Sequence, residues 1–154
     1  MINNLLRQKL AYDFIVESNK IEGILRDPTE EEMKEFFRFM ELPLITVEEL
    51  QKFVSVYQPN AKLRDKYGMD VRVGRYYPPQ GGPNITRGLN NLLDFVNHPR
   101  GDAYDMHLKY EGIHPFTDCN GRSGRMMWAW KMGWDGLTLG FLHKWYYQTL
   151  SASR

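Results

Sequence analysis

Several absences narrow this sequence of 154 residues before any motif is read. A single cysteine, Cys119, excludes an internal disulfide. No apolar run approaches the roughly 18 residues of a membrane span, so no membrane partner is expected. The opening stretch MINNLLRQKLAYDFIVES mixes charge among its apolar residues, unlike a secretion signal, and the expected location is the cytoplasm. Net charge is nearly absent too: 20 Lys and Arg against 19 Asp and Glu leave a formal +1. So weak a field makes nucleic acid an unfavoured partner, even though Arg72, Arg75, Tyr76 and Tyr77 interleave basic and aromatic residues. Phosphate chemistry, if present, must be local.

What the chain does have is 42% hydrophobic and 14% aromatic residues, enough for one core, and a single domain over residues 1–154 is expected. Leu6, Leu10 and Ile15 recur at helical spacing and predict a first helix stopping near Gly23. Thr29 with Glu32, and Thr46 with Glu49, have the spacing of capping boxes that open two further helices. Behind them run the stripes Met33, Phe36, Phe37, Met40 and Leu50, Phe53, Val54, Tyr57, both expected in the core. From about 61 to 84, Val71 and Val73 alternate with charged residues, Gly74 offers a turn, and prolines and glycines follow, which predicts a short hairpin and a loop. Helical spacing resumes at Ile85, Leu89, Leu92, Leu93 and Val96, ends at Asn97 to Pro99, and returns around Tyr104, Leu108 and Glu111. A helix from about Gly121 to Met132 should bury Met126, Met127 and Trp130, and a last one should cover 141–150. The expected fold is mainly α, with one β-hairpin. Trp134, Trp145, Tyr146 and Tyr147 enrich the tail in aromatics, and a homo-oligomer contact there stays open.

The segment HPFTDCNGRSGR, His114 to Arg125, concentrates chemistry. A helix starting near Asn120 would turn unpaired N–H groups and its positive dipole end towards the loop, which suits an anion. Arg122 and Arg125, three apart, share a face and can reach successive phosphates. Asp118 beside an anion implies a cation between them, and Mg2+ fits. His114 precedes Pro115, which biases it out of the helix and leaves its ring on the loop, poised to accept a proton near neutral pH. The plainer alternative is ordinary helix capping with a solvated pair of arginines.

These residues resemble the Fic family pattern H-P-F-x-[D/E]-G-N-G-R-x-x-R at every defined position but one. Leu63-Arg64, the stretch Val71, Arg72, Val73, Gly74, and Pro78-Pro79 look like that family's flap, and His107 is typical as well. The resemblance implies a Fic-type helical bundle with a short β-hairpin flap. It also implies an enzyme, a protein adenylyltransferase that moves AMP from ATP to a Ser, Thr or Tyr hydroxyl of a target protein, or of the protein itself. By that resemblance His114 and Asn120 are catalytic and Asp118 holds Mg2+. Asn120, Gly121, Arg122, Gly124 and Arg125 bind the nucleotide, Phe116 is a buried anchor, and the flap residues 71–74 dock the target. The departure is Cys119, where the pattern has glycine. A positive φ there would cost a side chain about 1 kcal/mol, whereas a negative φ would accommodate cysteine. Close to a helix N-terminus, its thiol is expected to have a lowered pKa and to be oxidisable.

A second motif precedes the first. Ser18-Asn19-Lys20-Ile21-Glu22-Gly23 is similar to the inhibitory pattern [S/T]-x-x-x-E-[G/N] of self-restrained Fic proteins, which implies that an inhibitory helix segment spans about 1–25. Ser18, Glu22 and Gly23 would carry the restraint, with Glu22 paired to Arg125 and basal activity low. Otherwise Gly23 is simply a helix C-cap. Two alternatives remain: a Fic-fold enzyme that transfers another phosphate-linked group or removes AMP, and a nucleotide- or protein-binding module impaired by Cys119.

Overall fold

The computed structural model describes residues 2–138. Among these residues six helices run in order: α1 (Asn4–Ile21), α2 (Glu30–Met40), α3 (Val47–Tyr57), α4 (Pro83–Val96), α5 (Ala103–Ile113) and α6 (Asn120–Leu137). The helix expected over 141–150, with Trp145, Tyr146 and Tyr147, lies outside the described residues. None of the described helices is long and apolar enough to cross a membrane.

The hub is α6. It packs against α1, α2, α3 and α5, while α4 lies on α5 and reaches α3. Met126, Met127, Trp128 and Ala129 are successive and all buried, as a helix surrounded by others requires. Trp130, expected beside them, is half-buried and donates Nε1–H to the Leu42 carbonyl at 2.8 Å. Helical dihedrals hold through Met132, the expected end, then break at Gly133 (φ 76°, ψ 170°), beyond which a further turn runs to Leu137. Trp134 rejoins the core side, with its ring centroid 5.8 Å from that of Phe36 and the Arg7 guanidinium 5.2 Å above it.

Both capping signals open helices, though unequally. Thr29 and Glu32 form the full reciprocal box. Thr46 accepts from the Glu49 N–H at 3.2 Å, but the Glu49 carboxylate turns to Arg38, because a guanidinium is a stronger partner than a neutral N–H. On α3 the whole expected stripe is buried. On α2 the stripe is displaced: Phe36 and Phe39 are wholly buried with Glu32 and Glu35, and Met33, Phe37 and Met40 only flank them. The cause is ion pairing, since Glu32 meets Arg26 and Glu35 meets Arg38, so carboxylates can occupy the packed face.

The predicted hairpin is reduced to one rung, Val73 with Tyr76, each donating to the other's carbonyl at 2.9 Å around Gly74 at φ 60°. Residues 62–64 make the other β-type pairing of the region with the loop before α6. Arg64 N–H donates to the Pro115 carbonyl and Thr117 N–H to the Lys62 carbonyl, each at 2.8 Å.

The end of α1 is tied to the start of α2. Asn19, fully buried, donates Nδ2–H to Glu32 at 3.2 Å, and Arg26 donates to the same carboxylate at 2.7 Å. Burial pushes the Glu32 pKa up, but the bonds from Arg26, Thr29 and Asn19 outweigh it and hold the pKa below its ordinary value. A depressed carboxyl pKa contributes stability at pH above the ordinary value and loses it as pH falls through the folded value. Glu32→Gln should therefore cost about 1–3 kcal/mol near neutral pH. Denaturant titrations from pH ~7 down to ~3 should show the gap between wild type and variant closing on the acid side; a gap independent of pH would contradict this account.

Candidate active site at the start of α6

Two left-handed residues bound the loop that feeds α6. His114, the C-cap of α5, has φ 51° and ψ 62°, and Cys119, the N-cap of α6, has φ 69° and ψ 16°. His114 is thus off the helix, as its proline neighbour requires, but by a left-handed turn. Phe116 is buried beneath the loop, as its ring suggested. Asn120 closes it: Oδ1 accepts from Phe116 N–H at 2.8 Å and Nδ2 donates to the Phe116 carbonyl at 2.7 Å. With both ends of its amide on backbone and 2% of its surface exposed, Asn120 shapes the loop.

No side chain caps α6. Its first turn, entered from a left-handed residue, gathers backbone N–H groups at the positive end of the dipole. Glu22 lies against that turn, with Oε1 2.7 Å from Arg125 Nη2. Gly121 makes the approach possible, because a Cβ there would overlap Glu22 Oε1 and lie 3.0 Å from Arg125 Nη1. Arg125, 4% exposed, also donates Nε–H to Ser18 Oγ at 2.9 Å and Nη2–H to the Ser18 carbonyl at 3.0 Å. Gly23 stands behind this. At φ 76° it closes α1 in a Schellman turn, with Gly23 N–H on the Lys20 carbonyl and Ile24 N–H on that of Asn19, which fixes where Glu22 leaves the helix. Ser18 and Glu22 thus meet Arg125 across 107 and 103 positions of sequence.

Other expected residues sit differently. Gly124 faces α5, where a Cβ would come within 2.9 Å of Tyr110 and 3.2 Å of His107. That closeness serves the α5–α6 packing. Arg122 is 4% exposed and donates Nη1–H to the Tyr57 carbonyl at 3.1 Å, while its buried Nε meets no protein acceptor among the described residues. Asp118 is exposed, with Oδ2 accepting from Gln58 Nε2 at 2.9 Å and Oδ1 from Cys119 N–H at 2.7 Å. Among the described residues no three His, Cys, Asp or Glu gather as a metal cage. A lone exposed carboxylate beside an uncapped helix N-terminus suits Mg2+, which takes one or two carboxylates together with substrate phosphates.

The flap residues Val71, Arg72, Val73 and Gly74 are half-buried or exposed, and Arg72 donates Nε–H to the Gly74 carbonyl at 2.6 Å. Tyr76 Oη donates to the Gly112 carbonyl at 2.7 Å, so the flap tip rests on the end of α5 beside His114. Gln58 and Tyr76 carry no signal for these roles in the sequence, since their partners lie 60 and 36 positions away.

Cys119 has the positive φ that disfavours a side chain, at roughly 1–2 kcal/mol. Replacement by glycine would relieve that strain but lose a buried side chain and add backbone entropy, each about 1 kcal/mol. The two effects nearly cancel. The thiol is buried, and that desolvation raises its pKa to about 11, which overturns the expectation of a lowered value. Cys119→Gly should therefore shift stability by less than about 1 kcal/mol in either direction. In the folded wild type, iodoacetamide at pH ~8 should label Cys119 at least ~100-fold more slowly than a free thiol, the thiolate fraction alone falling that far over two units from the ordinary 9.0. Labelling at the free-thiol rate would refute the buried placement.

With the geometry in place, the chain can be set beside known proteins. No curated protein matches it. Among solved structures, Fic-1 from C. elegans is similar over 99% of this chain, with a TM-score of 0.56 at 19% identity. This chain spans 59% of that one, and the likeness is one of fold. A model of the Fic/DOC family matches residues 29–131, from the N-cap of α2 to beyond the middle of α6 and including the whole of His114 to Arg125. The chain belongs to the Fic/DOC family.

Proposed function

We propose that this chain is a protein adenylyltransferase restrained by its own first helix. The observation that carries the reading is the Glu22 carboxylate, which lies against the first turn of α6 and on Arg125, where a terminal phosphate of ATP would lie. A site that attracts an internal anion this closely is built for an external one.

In the reaction, a Ser, Thr or Tyr hydroxyl of a target segment, or of this protein itself, attacks the α-phosphorus of ATP. Its proton passes to the His114 ring, a new O–P bond forms, the α–β bridging bond breaks, and pyrophosphate leaves. The first N–H groups of α6 stabilise charge growing on the α-phosphate, and Asn120 keeps them aimed by holding Phe116. Arg122 and, once released by Glu22, Arg125 hold the leaving phosphates. Asp118, oriented by Gln58, is the residue that would hold Mg2+, which when bound neutralises phosphate charge. The target segment docks along residues 71–74 as an added strand, the flap's single rung leaving edge backbone groups for it.

Incubation of the full chain with α-labelled ATP and Mg2+ tests this. Glu22→Gly should raise transfer of label to protein at least ~10-fold, corresponding to roughly 1.4 kcal/mol of coupling between the α1 carboxylate and the phosphate site. His114→Ala in the same background should abolish it. Label from γ-phosphate with none from α-phosphate would instead mark a phosphate-transferring relative, and no rise on removing Glu22 would remove the restraint. Cys119→Gly should change the rate less than ~3-fold, because cysteine already adopts the left-handed conformation that glycine would supply. A large gain would mean that the present chain is impaired.

A further inference from the structure

Arg64 is wholly buried, and its guanidinium bonds to backbone carbonyls. Nε donates to the His114 carbonyl at 2.7 Å and Nη2 to that of Ile113 at 2.9 Å. Nη1 donates to Met69 at 3.0 Å and to Pro79 at 2.9 Å. The backbone continues the pattern, with Arg64 N–H on the Pro115 carbonyl at 2.8 Å and Gly82 N–H on the Arg64 carbonyl at 2.9 Å. One residue thus takes the carbonyls of three successive residues, 113 to 115, across the left-handed turn that carries His114. The same fork takes one carbonyl from each flank of the flap. Burial lowers its pKa, and the nearby Asp70 carboxylate opposes that shift.

We propose that Arg64 is a positioning residue that sets the direction of the His114 ring and makes it depend on the seating of the flap. The geometry is what only arginine offers: a planar group with five donors can satisfy two acceptors on one edge and two on another, whereas an ammonium on a flexible stem has three donors about a point. Left-handed backbone at a residue before proline persists only where its surroundings hold it. At His114 those surroundings are the Tyr110 carbonyl behind and Arg64 in front. A target segment pressing on the flap moves Met69 and Pro79, and through the shared guanidinium that movement reaches the 113–114 carbonyls. The inference rests on the reading of His114 as the general base.

Arg64→Lys in the full chain, compared with its parent in the Glu22→Gly background, tests it. Turnover of α-labelled ATP should fall at least ~10-fold, while the affinity for Mg-ATP measured by calorimetry changes less than ~3-fold. The affinity is spared because Asp118 and Arg125 are held by other contacts. The ring resonances of His114 in NMR spectra should shift. Unchanged turnover and ring signals would overturn the proposal. So would parallel losses of turnover, ATP affinity and melting temperature, which would make Arg64 a support of the fold and nothing more.

Gly81→Ala supplies a second variant that keeps Arg64. A Cβ at Gly81 would come to 2.6 Å from the Met69 carbonyl oxygen, one of the guanidinium's acceptors. The His114 ring signals should move although the change is on the far flank of the flap, and stationary signals would refute the coupling. If the Glu22→Gly parent transfers no AMP, the adenylyltransferase reading fails, and the ring signals of both variants still decide the role of Arg64.

Discussion

Much of this molecule follows from one backbone constraint: the chain must leave α5, turn twice through left-handed conformations, and enter α6 with its first N–H groups uncapped. Each left-handed non-glycine residue costs roughly 1–2 kcal/mol, and both are present, at His114 and Cys119. The surrounding structure offsets that cost. Asn120 closes the loop on Phe116, residues 62–64 pair along it, and Phe116 is sunk in the core. The hub position of α6 fits this, since a helix that begins without a side-chain cap is held by the packing of its remaining faces. Gly124 allows α5 to come close for that purpose, and Gly121 keeps the opposite approach clear.

Electrostatics divides along the same lines. Arg125 and Arg122 are almost wholly buried, which is costly for a cation unless its donors are satisfied. Arg125 meets that requirement through α1, with Ser18 and Glu22 supplying the acceptors. On the proposed reading, the bonds that restrain the site are the same bonds that satisfy this buried cation. Without α1 the buried Arg125 guanidinium would lose these three bonds.

What could be read in the sequence was whatever depends on near neighbours in the chain. Periodicity placed α3 and α4 with their buried stripes, Thr29 and Glu32 marked the start of α2, and the break at Gly133 follows the expected end at Met132. The expectation missed on α2 because Glu32 and Glu35 are neutralised by Arg26 and Arg38, and no hydrophobic pattern reports an ion pair. The flap is minimal: alternation from 71 to 73 suggests a short hairpin, the backbone forms one rung of it, and the pairing that the sequence does not signal joins 62–64 to the loop before α6, more than fifty residues on. Gly124 lies in the motif, but no sequence pattern reports that a side chain there would meet Tyr110, Glu111 and His107 of α5. The Cys119 thiol was read from its place at a helix start, where the dipole would lower its pKa, but burial is the larger effect.

On the proposed reading, release of the restraint is a local event. Asn19 stays bonded to Glu32, and α1 buries Ala11, Phe14 and Ile15, so withdrawing the helix would expose core and remove one bond to that carboxylate. Glu22 itself lies just past the last helical residue, and its side chain is 39% exposed against 4% for that of Arg125. Rotation of one side chain into solvent, with α1 left in place, therefore frees the guanidinium face that a phosphate needs. Linkage makes this reciprocal: a nucleotide that binds better with Glu22 turned away shifts the side chain outward by the same factor. Because Ser18 holds Nε and one Nη2 bond throughout, Arg125 keeps its aim while the anion on it is exchanged.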